Sequence, residues 1–108
     1  MSPRSEYDAA YFTMLRAVEE RDALLRYREY LHAERARVDA FAEGTRDAAA
    51  GVHRRVRRTI ERTDRPLLEE LGRRRTVVLD ELARIDERID AAQAFVTECE
   101  DEVASLRT

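Results

Sequence analysis

The residues from Leu68 to Leu106 repeat with a spacing that few folds can accommodate. Read in sevens, Leu68, Arg75, Leu82, Ile89, Val96 and Val103 recur at one position, and Leu71, Val78, Ile85, Ala92, Cys99 and Leu106 at another. Eleven of these twelve side chains are apolar, and Arg75 is the exception. A 3-4 spacing returns residues to one side of an α-helix but scatters them over both faces of a strand. The stretch therefore predicts a long helix that lays a narrow apolar seam against another helix, in coiled-coil fashion.

Composition closes off the alternatives to an all-α fold. Charged residues make up 40% of the chain and aromatic residues 6%, with 3 Gly and 2 Pro, so turn formers are too few for a sheet protein. At 108 residues the chain is read as a single helical domain spanning 1–108. The net charge of -3 conceals a segregation. Met1 to Thr45 carries 7 Arg against 9 acids, Arg46 to Arg75 carries 10 Arg against 5, and Thr76 to Thr108 carries 3 Arg against 9. The middle is thus basic and the last third acidic.

Local signals divide the chain into three helical segments. The first is expected over about 6–43, with Ser5 as its N-cap and Asp8 answering three residues on. It is expected to stop at Glu43 because Gly44 favours a helix end and Thr45 a helix start. A short basic helix over about 46–63 follows. Ala49, Val52, Val56, Ile60 and Thr63 form its packing face, and Arg54, Arg58, Arg62 and Arg65 form a row opposite. The third, over about 66–106, is the heptad helix, with Pro66 suited to its first turn.

Two geometries follow from Pro66. A sharp turn there gives a three-helix bundle; a mere kink gives a long helical hairpin with the two long segments antiparallel. In both, a short middle helix covers only part of the seam, so Leu71, Val78, Leu82, Ile85, Ile89 and Val96 are expected to drive self-association into a homodimer.

Catalysis finds no residues to carry it. Cys99 is the sole cysteine and sits on the seam, which reads as a small buried hydrophobe. Glu29 and His32 match a Glu-x-x-His unit, but Glu29 points away from the seam and no second unit exists; His53 stands among arginines without a ligand partner. No nucleophile elbow and no Gly-rich phosphate loop is present. The expectation is a non-enzyme without cofactor or metal. With no apolar run long enough to span a bilayer and no apolar leader at Met1 to Glu6, no membrane contact is expected and the cytoplasm is the expected location.

Arg54, Arg58, Arg62 and Arg65 remain as the candidate site. Guanidiniums bind carboxylates and phosphates alike. One reading makes the chain an interaction and assembly module, its arginine row satisfied by the acidic last third, within a protomer or across a dimer, or by an acidic protein partner. The other makes it a small nucleic-acid-binding regulator. No aromatic residues interleave with the arginines for base stacking, and the sequence pI of about 5.5 opposes DNA, so the first reading is preferred.

Overall fold

In the computed structural model, which describes residues 2–107, the chain forms two helices: α1 over Pro3–Ala50 and α2 over Arg54–Leu106. Among the described residues there is no strand. The three expected segments are therefore two. The break expected after Glu43 is absent, because Gly44 and Thr45 lie inside α1, and the Thr45 hydroxyl donates back to the Phe41 carbonyl (2.9 Å) instead of capping a new helix. Pro66 lies inside α2, so the short basic segment is the start of the heptad helix and not a separate element.

The helix ends explain themselves chemically. Ser2, not Ser5, caps α1. Its hydroxyl accepts from the Ser5 N–H (3.2 Å), and Pro3 takes the first helical position, where a missing N–H costs nothing. The chain turns at Gly51, Val52 and His53. The His53 carbonyl accepts the first helical bond of α2 from the Arg57 N–H (2.7 Å), and its Nδ1 accepts from the Arg55 N–H (3.3 Å), so His53 is the N-cap. The sequence alone assigns His53 no role.

The chain divides into two units. In the first, the residues of α1 up to Glu29 pack with the residues of α2 from Arg84 on. The pairing is antiparallel: Tyr7 faces Arg107, Arg21 faces Gln93 and Arg28 faces Asp86. Ala17, Val96 and Cys99 form its buried cluster, with Met14 and Val18 packed against it, and Ile85, Ile89 and Val103 are buried as well. In the second unit, Tyr30 to Ala83, the turn joins the end of α1 to the start of α2 as a helical hairpin. Leu31, Val38, Ala49 and Val78 are its buried apolar residues.

Each of the twelve seam positions from Leu68 to Leu106 is buried or half-buried. On α2 the inward face continues upstream of Leu68 through Asp64, Ile60 and Arg57. This overturns the packing face assigned to the basic segment: Val56 is 51% exposed, Thr63 is exposed, and Val52 lies in the turn. It also removes the argument for a seam-driven dimer. Because α2 is continuous and α1 runs to Ala50, the seam is covered inside one chain, with Ile85 1% and Ile89 9% exposed.

Gly44 and Gly72 lie within helices, have no positive φ, and a methyl group added to either would meet nothing within 4 Å. Glycine there costs backbone entropy and returns no packing. Gly44→Ala and Gly72→Ala are each expected to raise unfolding stability by about 0.5–1 kcal/mol in denaturant titrations; a loss from either would contradict the open geometry.

Candidate functional site

The candidate row lies on the first three turns of α2. At 100° per residue Arg54, Arg58, Arg62 and Arg65 fall within an arc of about 80°, and at 1.5 Å per residue they span roughly 16 Å. The inward face of this segment is held by Ile60 and Leu68, which turns the row to solvent, and all four arginines are exposed. Among the described residues none of the four makes an ion pair. The pairing of this row with the chain's own acidic third is therefore not formed within the protomer.

Other arginines of the second unit are engaged, in an arrangement the sequence did not announce. Glu34 is only 8% exposed, and each of its carboxylate oxygens has its own guanidinium. Arg37 donates from Nη2 (2.7 Å) and Nε (3.2 Å) to Oε2, and Arg74 donates from Nε (2.6 Å) to Oε1. Arg37 also lies over the Tyr30 ring, 5.8 Å from its centroid. One step along, Asp39 accepts from Arg75 (2.8 Å) and pairs with Arg35 (3.8 Å). Arg75, the exception in the seam, is thus the α2 half of a polar layer. Such layers fix which turn of one helix faces which turn of the other. They are structural, and among the described residues they leave Arg54, Arg58, Arg62 and Arg65 without an ion pair, as they do Arg46 and Arg55.

The hydrogen bonds from Arg37 and then Arg74 hold the Glu34 carboxyl below its ordinary value of 4.5. A carboxyl depressed in the folded state contributes stability that is complete above its ordinary value and lost as pH falls through the folded one. Glu34→Gln is therefore expected to lower the melting temperature at neutral pH and to flatten the wild-type decline below pH 4.5. A variant curve that runs parallel to the wild type would contradict this.

The remaining candidates separate cleanly. Among the described residues no group of His, Cys, Asp and Glu could hold a metal ion, and Glu29 and His32 are both exposed. Cys99 is a buried free thiol in the first unit. No helix is long and apolar enough to cross a membrane, among the described residues. Val78, Ile85, Ile89 and Val96 of the expected assembly seam are buried, and Leu71 and Leu82 are half-buried.

No family model, curated protein or solved structure matches this chain.

The chain's surface includes exposed apolar side chains that neither unit's core uses. In the first unit Tyr11, Phe12, Leu15 and Phe95 are 37%, 63%, 41% and 45% exposed. In the second, Val56 and Leu67 stand exposed on a face of α2 turned at least about 120° away from the arginine row. Exposed aromatic and apolar residues outside a core are what a binding face offers.

Proposed function

We propose that this chain is a non-catalytic helical interaction module of the cytoplasm, which self-associates as a homodimer and engages an acidic protein surface through Arg54, Arg58, Arg62 and Arg65. Its helices pack as coiled coils within the protomer. The observation that carries the reading is the row itself: four guanidiniums on one exposed helix face, without an ion pair, in a chain whose neighbouring arginines 73, 74 and 75 each hold a carboxylate. Leaving four cations open costs stability through mutual repulsion, which an anionic partner relieves. The unpaired cysteine suits a reducing compartment.

Nucleic acid is the second reading, and the same exposed row favours it. Phosphate contacts make affinity fall steeply with salt. Replacing all four arginines by Gln separates the readings. The dissociated variant is expected to melt like the wild type, since exposed substitutions of this kind move stability by less than about 0.5 kcal/mol each. Its self-association is expected to be lost, and wild-type affinity for duplex DNA to be weak. Self-association that survives in the variant, together with salt-sensitive duplex binding present only in the wild type, would replace the first reading by the second.

A further inference from the structure

One side of the first unit carries a trough that its core does not fill. At one end a hollow of about 600 Å³ lies between the helices, with Ala9, Ala10 and Thr13 on the α1 wall and the exposed ring of Phe95 on the α2 wall. A second hollow of about 410 Å³ lies between Ala23, Leu24 and Tyr27 of α1 and Arg88 of α2. Glu6, Thr13, Glu20 and Tyr27 recur every seven residues on α1, as Arg88, Phe95 and Glu102 do on α2. Residues seven apart keep to one side of a packed helix pair, so both hollows open on the same side. From Glu6 to Tyr27 that side runs for roughly 32 Å, the length of a helix and not of a small molecule. Small side chains on the α1 wall let another backbone approach. The charge gathers at one end: Glu6, Glu98 and Glu102 edge the first hollow and no cation lines it. Among the described residues none of these three carboxylates has an ion pair.

We propose that this trough receives an amphipathic helix of a different protein, one whose apolar stripe is flanked by Lys or Arg where it passes Glu6, Glu98 and Glu102. Burial of Phe95 against that stripe supplies most of the affinity, since rim pairs alone contribute little. The carboxylates select the partner. A helix flanked by acids would add like charge beside all three, and a neutral one would leave them unpaired at the edge of a dried contact. A second copy does not offer the pattern: Val56, Thr63 and Leu67 form an exposed stripe at the start of α2, but Arg58 and Arg62 lie about 100° or more around the helix from it. The trough shares no residue with the Arg54 to Arg65 row, so this inference goes beyond the self-association reading and does not depend on it.

A designed peptide tests it on the full chain. The probe is a labelled peptide of roughly 14 residues with leucines at 3-4 spacing and lysines beside them, and its control carries glutamates in place of the lysines. In fluorescence anisotropy titrations the lysine peptide is expected to bind in the micromolar range and the glutamate peptide not to bind. Glu98→Gln with Glu102→Gln is expected to weaken binding at least about tenfold, and Phe95→Ser, which leaves every charge in place, to a similar degree. Asp90→Asn with Asp101→Asn removes the same charge from exposed positions outside the trough and should change binding less than about twofold. All these substitutions are at exposed side chains, and circular dichroism should report unaltered helix in each variant. Equal weakening by the two acid pairs, or wild-type binding in Phe95→Ser, would overturn the trough as the seat. A wild type that binds neither peptide would overturn the proposal outright. Self-association that the lysine peptide displaces would give the trough to a second copy instead. A wild type that is monomeric but binds the lysine peptide as described would remove the self-association reading and leave this one standing.

Discussion

Replacing Ile85 with Asp is expected to cost at least about 4 kcal/mol of unfolding stability, enough to unfold most of the protein at room temperature. Ile85 is 1% exposed, so the variant loses a fully buried aliphatic side chain and places a carboxylate in a buried apolar position. Truncating a buried Ile alone costs about 2–5 kcal/mol, and an unpaired buried charge adds to that. Small domains have only about 5–15 kcal/mol to lose. Phe12→Asp is the control: at 63% exposed, Phe12 should accept the same charge with a change within about 0.5 kcal/mol. Urea titrations followed by circular dichroism check both. Similar losses at the two positions would mean that burial along the seam does not govern stability.

Pro66→Ala is expected to act in the opposite direction, stabilising the fold by about 2 kcal/mol. A proline inside a helix leaves the carbonyl four residues back without its N–H partner and crowds it, at a cost of about 3 kcal/mol relative to Ala. Alanine gives back part of the gain, because it frees the unfolded chain by about 0.4–1 kcal/mol. The proline is tolerated because residue 66 is exposed and points away from the Ile60, Asp64 and Leu68 side, where water reaches the orphaned Arg62 carbonyl. A change under about 0.5 kcal/mol would contradict an uninterrupted helix through this position.

Pro66 also shows why some of the fold was legible in the sequence and some was not. The seam from Leu68 to Leu106 was readable because a 3-4 repeat is a geometric statement: it names the side of the helix that is covered, and all twelve positions are covered. The turn was not readable, because stop signals compete. Gly44 followed by Thr45 looks as much like a boundary as Gly51 does. What decides is packing further on, with Thr45 half-buried and Ala49 buried, so that breaking α1 at Gly44 would strip cover from both. Pro66 is a strong local breaker overridden by the helix on either side of it.

The misplaced turn in turn hid the polar layer. Whether Glu34 meets Arg74 and Asp39 meets Arg75 depends on where the chain reverses, and a reversal at Gly44 or Pro66 opposes different residues. Arg75 standing alone in an apolar seam was the available signal, since a cation there needs an acid on the facing helix. The arginine row was visible from its spacing, but that it stays unpaired within the protomer depended on the same register. The cap supplied by His53 had no sequence signal, because imidazole is not among the usual capping groups.

That the chain works by associating with itself is tested most directly by the molar mass of the unmodified protein in solution. Light scattering over a micromolar concentration series is expected to approach twice the 12.6 kDa of the chain. A mass of 12.6 kDa at every concentration and salt would contradict it.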